Sequence, residues 1–205
     1  MKKHTPLSKA VLGAATPRRV TPLDALSAAR AQWLKGQRIN INTLAETLGV
    51  NRATLFRWVG NRDQLYAEVI WSLALPGYEQ AVSQAPGTGA DYVCNLFTEI
   101  FALFSSATPL HTFLQNDTEY ALHILIGKDS LIQQRTTEIV QQALEQQVAG
   151  GHLQPAIALP TLAYLLVRLA ESFLYCDVLS GRQPDREAAL LAVRLLVSNP
   201  AAAGD

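Results

Sequence analysis

The sequence predicts an all-α fold, a small three-helix head at the N-terminus followed by a larger helical bundle. Apolar residues recur at steps of three and four from Pro22 onward, and no stretch alternates as a strand would. Glycine and proline punctuate these runs, at Gly36, Gly49, Gly60, Pro76, Gly127, Pro160, Gly181 and Pro184. Between Asn42 and Val59 two short helical runs meet at a glycine. We divide the chain into an arm (1–20), a head (21–65) and a body (66–205).

The arm carries five cations, two prolines and no acid, which suits a mobile basic tail. A first helix is expected from Pro22 to about Lys35. Thr21 stands as its cap, Pro22 fits its first position and Asp24 suits its positive end. Leu23, Leu26, Ala29 and Trp33 form its expected stripe, with Leu26, Trp33 and Leu34 as the floor under the next two helices.

Those two helices read as a helix-turn-helix. Gly49 lies where the chain must reverse through a left-handed backbone, and Asn42 and Asn51 stand where caps are needed. Leu44, Ala45, Leu48, Val50, Leu55, Trp58 and Val59 face inward, with Ala45 small at the crossing. Asn51, Arg52, Thr54 and Arg57 are left on the outer side. Arg pairs with guanine, and Asn or Thr reaches a base edge or a phosphate, so a duplex groove is the expected partner. A solvated surface would show the same residue types; the buried pattern carries more weight.

A fourth helix starts near Arg62 or Asp63, with Leu65, Val69 and Leu73 on one side, and the Pro76-Gly77 pair is expected to break or kink it. Ala85 to Ala90 is a loop without the lysine of a phosphate-binding turn. A nearly all-apolar helix follows from Asp91, then a stretch from Pro109 to Gly127, then a helix with one wet face from Asp129 to about Val148. Pro160 opens the longest apolar helix, to about Leu179, and Pro184 opens the last. Two neighbours this apolar point to a homodimer through the last two helices, as a four-helix bundle.

Phe97, Phe101, Phe104, Phe113 and Tyr120 either line a cavity or fill a solid core. Tyr164, Arg168, Glu171 and Tyr175 follow four-, three- and four-residue steps, a polar stripe that faces either water or a ligand. Buried, Arg168 and Glu171 must pair or meet a polar group.

The net charge is zero, yet residues 1–65 hold eleven Lys and Arg against three acids, and residues 66–205 hold six against fourteen. A head with a surplus of eight positive charges is drawn to a polyanion that repels the equally acidic body. No apolar run spans a bilayer and residues 1–20 contain no signal segment, so a cytoplasmic protein with no membrane partner is expected. Cys94 and Cys176 lack metal-ligand spacing, His111 and His123 are isolated, and no cofactor motif or nucleophile–base spacing appears.

The run LAETLGVNRATLFRWVGNRDQL, within Ile41 to Leu65, resembles the TetR family of transcriptional regulators. The matching positions are Ala45, Gly49, Val50, Asn51, Thr54, Leu55, Phe56, Arg62 and Leu65. Phe56 stands at the family's Tyr and loses a phosphate-binding hydroxyl, Val59 stands at its Phe, and Arg62 keeps the charge of its Lys. The stretches LAESFLYCDVLSGRQPD and WVGNRDQLYAEVIWSLA look like the QsdR branch, which is linked to lactone signals.

The resemblance implies a DNA-binding regulator, a repressor released from its operator by a small apolar effector such as a lactone. The expected DNA-facing set is Asn42, Thr43, Asn51, Arg52, Ala53, Thr54, Phe56, Arg57, Trp58 and Arg62. The expected effector-facing set is Phe97, Phe101, Phe104, Phe113, Tyr120, Tyr164, Arg168, Glu171 and Tyr175. A lactone- or ester-processing enzyme and a module that binds only proteins are the alternatives.

Overall fold

The computed structural model describes residues 20–198, which fold into eleven helices and no strand among those residues. The basic arm, Val20 excepted, lies outside them. Helix α1 (Pro22–Leu34) begins with a capping box in which Thr21 and Asp24 each take the other's backbone N–H. Its buried stripe is Ala25, Ala29 and Trp33, at steps of four. Leu23, expected in the stripe, is 73 % exposed, two residues and so about half a turn from Ala25, and Leu34, expected in the floor, is 57 % exposed.

Helices α2 (Ile41–Leu48) and α3 (Arg52–Val59) form the helix-turn-helix. Gly49 adopts φ 64° at the turn, as expected. The cap of α2 is Asn40, not Asn42: its Oδ1 accepts from the Asn42 and Thr43 amides at 2.9 and 3.2 Å. The helix starts two residues earlier than a cap at Asn42 implies, and Ile41, its first residue, is itself a buried anchor. Asn51 does cap α3, accepting from the Thr54 amide at 2.7 Å. Leu44, Ala45 and Leu55 are buried, and Leu48, Val50, Trp58 and Val59 pack half-buried against them.

Helix α4 (Arg62–Gln84) opens on an Asn61–Gln64 capping box and runs unbroken through Pro76. Pro76 removes one hydrogen bond, to the Ser72 carbonyl, but the helix continues. Gly77 is there for proximity: an added Cβ would meet the Leu103 methyls at 2.7 and 2.8 Å. The body continues with α5 (Gly89–Ser105), α6 (Thr108–Asn116), α7 (Thr118–Ile126), α8 (Leu131–Ala149), α9 (Leu159–Leu174), a short α10 (Cys176–Ser180) and α11 (Arg186–Val197).

Two expected helices are divided. The Pro109–Gly127 stretch splits at Asp117, whose φ of −156° is extended, and Asp117 then ends α6 and starts α7. The Pro160–Leu179 helix stops at Tyr175 (φ −110°), and Gly181 (φ 68°) closes α10. The last helix starts at Arg186, capped by Asp185, two residues after Pro184.

Helix α8 packs along α9, and α11 lies on α5 and α9. Ala189 and Val193 of α11 are fully buried, whereas Leu191 and Leu195 are 60 and 72 % exposed. Tyr164 and Leu165 of α9 add apolar surface on the outside. Among the described residues no single helix is long and apolar enough to cross a membrane.

Candidate functional site

The outer face of the head is built by the two caps. With its oxygen committed to the Thr54 amide, Asn51 fixes the start of α3, and the first turn then presents Arg52 and Ala53 to solvent. Asn42, Thr43, Phe56 and Arg57 are also exposed, and Thr54 and Trp58 are half-buried. The Arg52 guanidinium lies 5.5 Å from the Phe56 ring centre, so the aromatic that replaces a hydroxyl-bearing residue supports a cation instead.

Arg62 stands apart from this face. Its guanidinium sits over two rings of the body, 5.3 Å from Tyr66 and 4.6 Å from Tyr120. It is one part of a seam between head and body. The Tyr120 hydroxyl donates to Asp63 Oδ1 at 2.7 Å, and His123 Nε2 lies 3.4 Å from Asp63 Oδ2. Arg38 pairs with Asp117, and the Ile39 amide donates to the buried Tyr66 hydroxyl at 2.9 Å. Trp33, Tyr66, Phe113 and Tyr120 stack or meet edge-on with centres 5.0 to 6.0 Å apart. Burial, then the Asp63 bond, pushes the Tyr120 hydroxyl well above its ordinary pKa, so it remains a donor.

Helices of the body line a cavity of about 60 Å³, room for a few waters. Helix α5 supplies Val93, Leu96, Phe97, Ile100 and Phe104; α8 supplies Ile132, Gln133, Thr136 and Val140. Tyr78 comes from α4, Leu125 from α7, and Leu166, Val167, Ala170, Glu171 and Leu174 from α9, with Tyr175 just beyond. The walls are apolar except at one pole. There Arg168 Nη1 donates to Glu171 Oε2 at 2.8 Å, and the Gln133 amide reaches the same oxygen at 3.4 Å. Tyr78 and Thr136 share a bond of 2.8 Å between their hydroxyls.

Of the expected effector-facing residues, Phe97, Phe104, Glu171 and Tyr175 line this cavity. Phe101 is buried behind it, stacked on Phe97 at 5.9 Å. Arg168 touches it through Glu171. Phe113 and Tyr120 are placed in the seam instead, because the break at Asp117 turns α6 and α7 toward the head. Tyr164 is 49 % exposed on the outside of α9. Tyr78, Gln133 and Thr136 escaped the sequence reading. Gln133 belongs to a helix whose glutamines read as a wet face, and nothing in its spacing separates it from its exposed neighbours.

Burial raises the Glu171 carboxyl to about 7, against the lowering pull of Arg168 and the bonds from Gln133 and Arg168. Arg168 is 39 % exposed at its side chain, so its charge is shared with water and does not offset the desolvation. A raised carboxyl means the folded state holds more protons than the unfolded one between pH 4.5 and about 7. That contribution to stability is complete below pH 4.5 and is lost as pH rises through about 7. Glu171→Gln is therefore expected to melt higher than the native chain at pH 8, by up to about 3 kcal/mol, with the gap closing at pH 5. Calorimetric melts of both proteins across that range check it.

The cavity and the seam share α7. Leu125 lines the cavity, the Ile126 carbonyl accepts from Arg168 at 3.5 Å, and Tyr120 holds the first turn of α4. Helix α4 follows α3, the second helix of the helix-turn-helix, after only Gly60 and Asn61. A body cavity thus connects by one short helix to the base of a helix-turn-helix.

Residues 88–198 match the model of the tetracyclin repressor-like C-terminal domain family. No curated protein matches. The chain is similar to the transcriptional repressor QsdR of R. erythropolis, a TetR-family structure, with TM-score 0.79 and 31 % identity over 86 % of this chain and 93 % of that one. It also aligns with the TetR-family regulator PfmR of Thermus thermophilus, with TM-score 0.43 and 20 % identity over 84 and 96 % of the two chains. Its fold, its helix-turn-helix head and both the domain match and the likeness to QsdR place this chain in the TetR family of DNA-binding transcriptional regulators.

Proposed function

We propose that this protein is a repressor that binds a near-palindromic operator as a homodimer and leaves it when a small apolar carbonyl compound, such as a lactone, enters the body. The observation that carries the reading is the continuity from the cavity, through α7, to the α3–α4 corner. An effector larger than the 60 Å³ void must displace a wall, and Leu125 puts α7 among the walls. Movement of α7 pulls on Asp63 and Arg62 and so changes the separation of the two heads in a dimer. The similar R. erythropolis protein is itself described as a repressor.

Arg52 and Arg57 supply phosphate or guanine contacts, Asn42, Thr43, Ala53, Thr54 and Phe56 complete the face, and Trp58 holds α3 on the head. Arg62 acts through the seam. The dimer forms through α9 and α11, where Tyr164, Leu165, Leu191 and Leu195 offer an apolar face.

The test is a gel-shift series with duplexes from the protein's own promoter region. Binding is expected to weaken steeply with salt and to be reversed by lactones. Affinity that is the same at roughly 50 and roughly 200 mM salt would remove the DNA reading.

A further inference from the structure

A separate pocket of about 260 Å³ lies where head meets body. Trp33 and Leu34 of α1 form its head side. Ala74 of α4, Leu103 and Phe104 of α5, and Ala107 just before α6 form walls on the body side. Alanine at 74 and 107 leaves space that a longer side chain would fill, and Leu103 is fixed by its close approach to Gly77. Phe104 is the one residue this pocket shares with the body cavity, so the two are distinct spaces on either side of one ring.

Every side chain that lines the pocket is apolar but for one nitrogen, Nε1 of Trp33. Trp33 is 5 % exposed, and its indole N–H finds no acceptor among the described residues. No fully enclosed side-chain polar atom there is left unbonded, so Nε1 borders open volume. Trp33 lines two such volumes, this pocket and one of about 20 Å³ toward Gly36 and Asp117, which has room for a single water. A buried donor without an acceptor is costly, and an indole nitrogen only donates.

Water suits the larger pocket poorly, because it needs two to four polar partners and these walls offer one. A charged group suits it no better, since no lining side chain bears a counter-charge. An apolar space of roughly 150 Å³ already accepts benzene, so this one has room for about two fused rings. Trp33 and Phe104 give such rings aromatic surface to pack on.

We propose that this pocket is a second small-molecule site, which takes a neutral, apolar molecule of about two fused rings with one hydrogen-bond acceptor, such as an aryl ketone. Its oxygen accepts from Trp33 Nε1. Helix α1 belongs to the head and α5 to the body, so a molecule seated here touches both and ties them together. The inference stands on this pocket alone and does not depend on the effector reading above.

The probes are 2-acetylnaphthalene and 2-isopropenylnaphthalene, which differ only in O against CH₂. Equilibrium dialysis with the full chain is expected to give saturable binding of the ketone, one per chain, with Kd below about 100 μM. The ketone should bind about 5-fold or more tighter than the alkene, a comparison that needs no variant. In a nitrogen-15 spectrum the ketone, and not the alkene, should move the Trp33 indole N–H resonance downfield; its loss in Trp33→Phe assigns it among the three tryptophans. Ala107→Trp fills the pocket and should weaken the ketone about 10-fold or more, with Ala74→Leu as a second filling variant. Ala170→Leu narrows the body cavity instead and should change ketone affinity less than about 2-fold. Absence of saturable binding, equal affinity for the two probes, or an indole resonance that the ketone leaves in place overturns the proposal. So does binding that Ala170→Leu removes and the filling variants spare, which puts the probe in the body cavity.

Discussion

Arg57→Glu is expected to weaken operator binding by about 100-fold or more while leaving the fold intact. Arg57 is exposed on the last turn of α3 and makes no ion pair among the described residues. Reversal removes one cation and sets an anion against the phosphates, so the slope of affinity against salt should fall by about one to two counterions as well. The cost to the helix is small, a few tenths of a kcal/mol from placing an acid near the C-terminal end of α3. Gel shifts at several salt concentrations, with a melting curve as control, decide the matter. Retained affinity would mean that α3 is not the reading helix. The described part of the head holds only six of the eleven N-terminal cations, and Arg38 and Arg62 are engaged at the seam. Each remaining charge on the outer face therefore counts for more.

Leu191→Glu with Leu195→Glu is expected to split the dimer and reduce operator affinity by a similar factor, about 100-fold. These leucines occupy one side of α11, 60 and 72 % exposed, while Ala189, Val193 and Val197 hold the other side in the core at 0 to 2 %. The substitutions load charge onto the apolar face without touching the packing of the subunit. Sedimentation should show half the native mass and the melting curve should survive at low concentration. A native chain that already sediments as a monomer at micromolar concentration would remove the two-headed model. The two variants fail differently: Arg57→Glu stays dimeric and loses its salt-sensitive grip, whereas the α11 variant keeps a reading face and loses its second copy.

The head was legible because its determinants are local. Gly49, Asn51, Leu44 and Leu55, which supply the turn, the cap and the buried positions, all lie in a span of twelve residues. Asn42 was displaced as a cap by Asn40 because Ile41, between them, serves as an anchor that the apolar pattern alone does not mark. The role of Arg62 was out of reach: its ring partner Tyr120 lies far along the chain, and nothing in either local pattern announces the other. The cavity was only partly legible for the same reason. Five helices and the residue after α9 each give it a few side chains, so periodicity finds the apolar faces but not the point where they converge. The stop at Tyr175 carried no proline or glycine to signal it.

The three tryptophans mark three stations of the molecule. Trp71 meets Tyr78, a wall of the cavity, at 5.5 Å, Trp33 packs on Phe113 at 5.0 Å where head meets body, and Trp58 stands half-exposed on α3. Their indole emission is an optical record already written into the chain. With two of the three replaced by phenylalanine in turn, ligand entry, displacement of the joint and engagement of a duplex become separate fluorescence signals. The order in which those signals change after rapid mixing gives the direction of information flow without any attached dye.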